Sequence, residues 1–491
     1  MGSARPAVVI GAGIGGIAAA IRLAAKGYAV TVLEANPYVG GKLTAFTDGG
    51  YRFDAGPSLF TAPEKVDALF CLAGENPRDH FNYRRLDEVC RYGWPDGTRL
   101  TASADPQQFA RAAQDVLGVP QAKTLALLAK AKRIYGITSH VFLERSLHRW
   151  QTYARWPTLL SILRLPQIDG LRTLHRANAA AVADARLVQL FDRYATYNGS
   201  NPYRAPATLG VIPHLEFGQG AYFPDGGMHQ IPMALVALAQ RMGVQFRTDS
   251  PAEQIVTEGR SVAGVRVAGE VLPASVVVSN ADLVATYRNL LPQVQAPEGL
   301  LAQEKSTSGL IFYWGIRAQF EAMGLHNIFF SGDYRSEFED LFRRKTIPTD
   351  PTVYLNISSK YQPTDAPPGC ENWFVMVNTP HDSGQPWDTL IAHTRQRVLG
   401  KLSSALGRPI EPLIATEAVL EPRLIAQRTS SYGGALYGNA SNTPLAAFLR
   451  HPNRSGRVRG LYFVGGSVHP GGGIPLCLQS AQIATDLVPG P

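Results

Sequence analysis

The chain has 491 residues, 45% of them hydrophobic and 18% charged, with a formal net charge of +8; this length fills two or three domains around a sizeable core, and the mild basic excess describes surfaces rather than fold. Cys71, Cys90, Cys370 and Cys477 lie far apart, with no C-x-x-C pair and no histidine at metal spacing, so no disulfide framework and no metal site is expected and the compartment reads as reducing. The sequence carries no window of about 18 apolar residues and no signal-peptide pattern, so membrane contact is expected to be peripheral, and nothing points to a nucleic-acid partner.

Residues 7–34, AVVIGAGIGGIAAAIRLAAKGYAVTVLE, open with a β-branched run that meets Gly11, Gly13 and Gly16 in the spacing G-x-G-x-x-G. An Ala-rich helical pattern and a second apolar run ending at Glu34 follow. The spacing predicts strand, tight turn, helix and strand. Gly11 makes the turn, Gly13 lets the backbone approach a pyrophosphate, and Gly16 lets helix and strand pack closely. The helix N-terminus offers free N–H groups and the positive dipole end to phosphates. A carboxylate at Glu34 suits the two ribose hydroxyls of a dinucleotide and repels a 2′-phosphate.

Beyond Glu34 the chain runs through ANPYVGGK, with Gly40, Gly41 and Lys42, into a predicted hairpin across Gly49-Gly50 and on to YRFDAGPS, with Gly56 and Pro57. Residues 63–140 read as mainly helical and polar-faced, without recognisable chemistry. Residues 141–176 differ in kind, since Arg145, Arg149, Arg155, Arg164, Arg172 and Arg176 stand against Glu144 and Asp169 and are interleaved with Trp150, Trp156 and a Leu/Ile run. That composition suits a helix lying in a lipid headgroup layer, and equally a helix whose apolar stripe joins the core. A Tyr, Asn and Gly-rich loop occupies 191–206. Turn, helix and strand are expected over 221–247, and a hairpin ending in VVVSNAD over 261–282; residues 244–280 look like a return to the first domain. Alternating runs between 300 and 449 suit an antiparallel sheet, either the wall of a substrate tunnel or a sandwich core. At the chain end GLYFVGG, SVHPGGGIP and LCLQSAQIATDLV repeat the strand, glycine turn and helix of the opening. This second helix N-terminus, with Gly465, Gly466 and Pro475, is a candidate for the pyrimidine end or ribityl chain of a flavin.

Taken together, GAGIGG…LE…GGK, YRFDAGPS, FPDGGMHQIP, VVSNAD and FVGGSVHPGGGIPLCLQSAQIA resemble the phytoene desaturase family of FAD-dependent carotenoid desaturases over essentially the whole chain. YATYNGSNPYRAP, HNIFFSGDY and NTPLAAFLRHP look most like the branch that desaturates the 3,4 bond of 1-hydroxylated carotenoids. The resemblance implies an α/β fold: a discontinuous Rossmann-like FAD-binding domain over 1–80, 215–290 and 455–491, with an inserted α+β substrate domain. Within the insertion, 81–214 would be helical and membrane-associating, and 291–454 would hold an antiparallel sheet. It also implies a noncovalent FAD, a clamp made by Gly40, Gly41, Lys42, Gly56 and Pro57, and an adenine contact through the backbone of Ala252. The partner would be a long acyclic carotenoid, and the location peripheral on the cytoplasmic side of a membrane. One departure stands out: related flavoenzymes carry an Asp for the ribityl chain where this sequence has Gly466 and Ser467.

Desaturation removes a hydride and a proton from adjacent carbons, and next to a polyene the second loss is easy. The protein then supplies mainly orientation and a dry tunnel, in keeping with a chain that shows no triad or carboxylate pair. His469 is the candidate for a polar role near the flavin, as base or positioning group; the alternative is a histidine that satisfies backbone in a tight turn. The Tyr, Asn and Ser residues of 194–203 are candidates for contact with the substrate hydroxyl. A phytoene-type desaturase, a carotenoid isomerase or oxidase, an amine oxidase and a non-enzymatic carotenoid-binding flavoprotein are the alternatives.

Overall fold

The computed structural model describes residues 5–139, 145–148, 152, 156, 158, 161, 164–444, 446 and 449–491. The opening motif folds as strand β1 (Pro6–Ile10), helix α1 (Ile14–Ala25) and strand β2 (Ala29–Leu33). Strands β3 (Ala45–Asp48) and β4 (Tyr51–Asp54) form the expected hairpin, with Gly49 and Gly50 at φ +55° and +85°. Next come β5 (Phe60–Thr61), β6 (Tyr83–Arg85), β7 (Glu88–Gly93) and β8 (Arg99–Ser103). After a helical stretch follow β9 (Ala221–Pro224), β10 (Gln245–Arg247), β11 (Ala252–Glu258), β12 (Ser261–Val267), β13 (Glu270–Pro273) and β14 (Val276–Ser279). The remaining strands are β15 (Ser308–Ile316), β16 (His326–Phe329), β17 (Val353–Asn356), β18 (Glu371–Thr379), β19 (Ile414–Leu420) and β20 (Leu461–Phe463).

A five-stranded, wholly parallel sheet has the order β10-β2-β1-β14-β20, so its strands come from three separate stretches of sequence. Parallel strands covered on both faces are near-continuous apolar runs, as VVI, AVTVL, VVVS and LYF are, while the edge strand QFR is polar. One face packs α1, helix Gln230–Arg241 and the C-terminal helix Ile474–Asp486 around Ala18, Ala19, Leu235 and Ala481. The alanines let the helices approach closely. The other face meets the antiparallel sheet β11-β12-β13 through Val8, Val277, Ile255 and Val265.

A seven-stranded mixed sheet has the order β19-β15-β18-β17-β16-β7-β8 and is antiparallel except between β16 and β7. Side-chain alternation divides it cleanly. Trp314, Trp373, Val375 and Leu355 point to one face and pack with Val398 and Leu402 of helix Trp387–Leu406. Ile311, Tyr313, Phe374, Tyr354 and Met376 point to the other, against Tyr51 and Phe53 of the β3–β4 hairpin.

Two readings of the sequence are corrected. Residues 63–140 are mainly helical as expected, but the reading missed three strands: β6 pairs with β9, and β7 and β8 close one edge of the seven-stranded sheet. Helix Trp387–Leu406 lies inside a stretch read as sheet. Of the basic segment 141–176, the residues 141–144, 149–151, 153–155, 157, 159–160 and 162–163, Trp150 among them, lie outside the described residues. Among the described residues no helix is long and apolar enough to cross a membrane.

Candidate functional site

The two glycine turns meet at one end of the parallel sheet. Gly11 has φ +93° and donates its N–H to Leu33 O at 2.7 Å, which fixes the turn between β1 and β2. A Cβ on Gly16 would stand 2.0 Å from Gly11 O, so no side chain fits where α1 crosses the strand. Helix α1 is capped by Gly13 without any side-chain hydrogen bond and carries no acid in its first turn. Its N–H groups and positive dipole end are therefore left for another acceptor. Gly40 donates to Ala12 O at 2.8 Å and bridges Gly13, and a Cβ on Gly41 would lie 3.1 Å from Gly13 Cα.

The C-terminal turn closes on the same place. A Cβ on Gly15 would come within 3.2 Å of Gly465 N, and Gly466 stacks on Gly472. Helix Ile474–Asp486 starts at Gly473, again without a side-chain cap or first-turn acid, and Pro475 occupies its first turn. Two helices with uncapped N-termini thus start next to glycine turns that approach one another. Ser467, in the place of the family's Asp, accepts from Leu283 N–H at 3.0 Å. Asn280 of the VVSNAD motif places its side chain against the positions of Gly13, Gly15, Gly16 and Gly465 and donates to Gly11 O at 3.4 Å. It ties the turns together, a tertiary role with no local signature.

Glu34 is buried at the end of β2. Its Oε2 accepts from Ala12 N–H at 2.8 Å, and its Oε1 accepts from Asn36 N–H at 2.9 Å and Asn36 Nδ2 at 2.7 Å. Each oxygen of an ionised carboxylate has more than one acceptor site, so capacity is left for a ribose. Residues 249 and 250 run beside it, with Ser250 N–H on Glu34 O at 2.8 Å, which brings the start of β11, Ala252, to the same end.

Lys42 and Gly56 form the next wall. A Cβ on Gly56 would fall 1.7 Å from Lys42 O, and the Lys42 amine donates to Leu436 O at 3.0 Å. Burial pushes that amine below the usual lysine range, partly countered by Asp282. Gly56, Ser58 and Leu59 are half-buried and Pro57 is exposed. Arg450, unremarked in the sequence, is buried at 2% exposure and donates to Tyr437 O (3.1 Å), Gly466 O (3.4 Å), Asn198 Oδ1 (3.1 Å) and Asn439 O (3.0 Å). It pins the 437–439 loop to the terminal turn. Burial lowers its guanidinium to about 10.

His469 is fully buried. Its Nε2 lies 2.7 Å from Arg145 O, its own carbonyl accepts from Asn453 and Ser480, and its Nδ1 has no hydrogen-bond partner. Burial, with His148 and Arg450 nearby, lowers its imidazolium to about 4, so the ring is neutral at pH 7. It joins the terminal turn to the start of the basic segment.

Most polar side chains of 194–203 make hydrogen bonds within the protein. Tyr194 and Tyr197 both donate to Glu216, which lies 3.6 Å from buried Arg193. Asn198 donates to Ser441 at 2.7 Å and accepts from Arg450, Ser200 bonds Asn198 O and Ser441 N–H, and Asn201 accepts from Tyr203 N–H. Tyr194, Tyr197, Asn198 and Ser200 thus hold their own loop to neighbouring segments.

The hairpin-facing side of the seven-stranded sheet keeps Tyr354, Met376 and Asn378 half-buried although their strands are interior to the sheet. Ser58 Oγ lies 2.6 Å from Tyr354 Oη, which lies 2.7 Å from His326 Nδ1. A cleft of about 830 Å³ between α3 (Pro106–Leu117), α4 (Gln121–Thr138) and residues 213–218 is lined by Leu86, Leu125, Leu128 and Phe217. Leu86 packs in turn with Leu325 and Leu59, neighbours of His326 and Ser58. This cleft stands apart from the glycine turns, on the side of the seven-stranded sheet. Among the described residues no cluster of His, Cys, Asp and Glu could hold a metal.

The family model described as flavin containing amine oxidoreductase matches residues 14–489. The 1-hydroxycarotenoid 3,4-desaturase of Flavobacterium sp. (strain P99-3) is 49% identical over 485 residues, covering 99% of each chain. The 4,4′-diapolycopene oxygenase of Methylomonas sp is 32% identical over 489 residues, covering 98% of this chain and 97% of that one. A solved structure of putrescine oxidase bound to putrescine superposes with a TM-score of 0.64 at 13% identity, covering 98% of both chains. At that identity the likeness speaks for the fold.

Proposed function

We propose, for a chain that belongs to the flavin-containing amine oxidoreductase family and within it to the FAD-dependent carotenoid desaturases, that the reaction is the introduction of a C3–C4 double bond into an acyclic 1-hydroxylated carotenoid. The observation that carries this reading is the full-length match to the Flavobacterium desaturase. When bound, FAD supplies the two-electron acceptor that takes a hydride from one carbon while the neighbouring carbon loses a proton.

The chain's own residues fit such a group. Gly11, Gly13, Gly16, Gly40 and Gly41 form a cradle that side chains would fill. The uncapped starts of α1 and helix Ile474–Asp486 suit a diphosphate and the carbonyl edge of a pyrimidine. Glu34 suits the ribose, the backbone at Ala252 the adenine, and Lys42, Gly56, Pro57, Gly465, Gly466 and Pro475 the remaining walls. We assign 1–80, 215–290 and 455–491 to the cofactor part. The rest is the inserted substrate part, where 88–103 belong with the sheet they complete. His469, hydrogen-bonded and neutral, acts as a positioning group that ties the terminal turn to the basic segment. The half-buried Tyr354 and Met376, backed by the buried Ile311, Tyr313 and Phe374, are the proposed substrate-facing part of the sheet, which would exclude water and orient a polyene, and orientation is worth several kcal/mol in such a reaction.

The basic segment is the proposed membrane contact, with the protein peripheral on the cytoplasmic side. Trp156 and Leu171, 71% and 97% exposed, lie within it, together with exposed Arg164, Arg172 and Arg176. Large exposed apolar groups among arginines suit a headgroup layer.

The test is pigment analysis by chromatography after expression in a host that makes 1-hydroxyneurosporene. A product with one more conjugated double bond and the hydroxyl retained is expected. An aldehyde product would favour the oxygenase reading that the 32% identical relative suggests, and desaturated phytoene would favour a general phytoene-type enzyme.

A further inference from the structure

In the desaturation proposed above, the hydroxyl sits on C1 and the new double bond begins at C3. Whatever reads the hydroxyl must therefore stand close to whatever takes the hydride. In the 194–203 loop Tyr194, Tyr197, Asn198 and Ser200 are spent on bonds within the protein. Ser58, Tyr354 and His326 form a hydrogen-bonded row that starts two residues after Gly56, a wall beside the glycine turns. Ser58 follows Gly56-Pro57, the segment packed on Lys42 O beside the glycine turns, and Tyr354 belongs to the apolar wall of the seven-stranded sheet.

The hydrogen-bond inventory of His326 decides its tautomer. Its Nδ1 faces Tyr354 Oη at 2.7 Å and Asn356 Nδ2 at 3.2 Å. An amide NH2 can only donate, and Tyr354 has Ser58 as a second partner, so Nδ1 is the acceptor. The ring proton therefore sits on Nε2. That N–H is buried, on a residue 4% exposed, and has no hydrogen-bond partner. Burial and the Arg193 cation push the imidazolium down to about 3, so the ring stays neutral across the physiological range. An orphaned buried donor is costly, and most buried donors that lack a protein partner meet a ligand or water.

We propose that His326 Nε2–H is the donor that receives the C1 hydroxyl oxygen of the substrate, with Tyr354 and Asn356 as positioning residues that fix its tautomer. This inference rests on the desaturase reading. The relay Ser58, Tyr354, His326 links the hydroxyl site to the Gly56-Pro57 segment, so the polar end of the substrate and its reacting carbons are held by one connected set of side chains. A carotenoid without the hydroxyl leaves Nε2–H unpaired and is disfavoured.

The experiment compares FAD-loaded wild type, His326→Leu, His326→Gln and Tyr354→Phe on 1-hydroxyneurosporene and neurosporene in detergent micelles. Flavin content and melting temperature serve as the check on folding. Wild type is expected to prefer the hydroxylated substrate. His326→Leu should lower kcat/KM for that substrate about 5- to 150-fold, mostly through KM, and bring the preference towards unity. His326→Gln, which keeps an N–H donor at similar reach, should restore part of it, and Tyr354→Phe should fall between. Binding of the hydroxylated carotenoid to the dithionite-reduced protein, which cannot turn it over, should weaken by a similar factor in His326→Leu. An unchanged preference in a folded, flavin-bearing His326→Leu overturns the inference; if that variant does not fold, an unchanged preference in Tyr354→Phe does so. Failure of wild type to act on 1-hydroxyneurosporene overturns the desaturase reading itself, before any variant is made.

Discussion

Replacing Glu34 by Ala removes three charge-assisted acceptor contacts at once, those to Ala12 N–H, Asn36 N–H and Asn36 Nδ2, at 2.8, 2.9 and 2.7 Å. Asn36 is near the surface and can turn to water. Ala12 is fully buried in the first turn, so its N–H is left without an acceptor, at a cost of about 1–3 kcal/mol to the apoprotein. The holoprotein loses, in addition, the charged acceptor assigned to the ribose, worth about 1.5–3 kcal/mol. The dissociation constant for FAD should therefore rise about 10- to 150-fold beyond any change in apoprotein stability. Titrating apoprotein with FAD and following flavin fluorescence measures the first quantity, and urea melts of the apoprotein measure the second. Glu34→Gln, which keeps one acceptor oxygen but turns an NH2 towards other donors, should lie between wild type and Ala. Wild-type FAD affinity in Glu34→Ala, whatever its melting behaviour, would refute the ribose assignment.

Arg193→Met should destabilise the fold by about 3–5 kcal/mol in urea titrations, because it leaves Glu216, with a side chain 2% exposed, buried without its cation; Arg193→Met with Glu216→Leu should recover much of the loss, and equal loss in both would contradict the pairing. His451 and His469 are buried with their imidazolium values lowered from 6.5 to about 4. Above pH 6.5 both are neutral folded or unfolded, whereas between pH 6.5 and 4 the unfolded chain binds protons the folded chain refuses. Stability should thus fall with pH across that window, by up to about 3 kcal/mol for each, and His469→Gln should flatten the slope seen in urea midpoints. For the membrane contact, the protein should sediment with anionic vesicles at low salt and be partly released at high salt. Trp156→Ser with Leu171→Ser should weaken that sedimentation, and undiminished binding would move the contact elsewhere.

What could be read from the sequence is what is local. The β1–α1–β2 unit carries its own period, its own glycines and the acid at its end, and the terminal strand, turn and helix do the same. The hairpin at Gly49-Gly50 needs only its turn chemistry. Strand β6, Tyr83–Arg85, is half-exposed and two-thirds arginine, so it has no apolar alternation to announce it, and only pairing with β9 makes it a strand. Strands β7 and β8 form a local hairpin, but the sheet they join is reached only through the pairing of β7 with β16, more than two hundred residues away. Asn280 and Arg450 join segments distant in sequence, and no spacing rule connects them. In the 191–206 loop the polar composition was visible but its partners, Glu216, Ser441 and Arg450, were not. The unsatisfied donor on His326 follows from a tautomer that two strands and a loop determine together.

The central claim is tested most directly by a single anaerobic turnover of 1-hydroxyneurosporene with the purified, FAD-loaded protein, following the flavin band and the carotenoid spectrum together. One new C3–C4 double bond per flavin bleached, with phytoene turned over far more slowly, is the expected result. Bleaching by phytoene at an equal or higher rate, or a carotenoid aldehyde as the product, would contradict it.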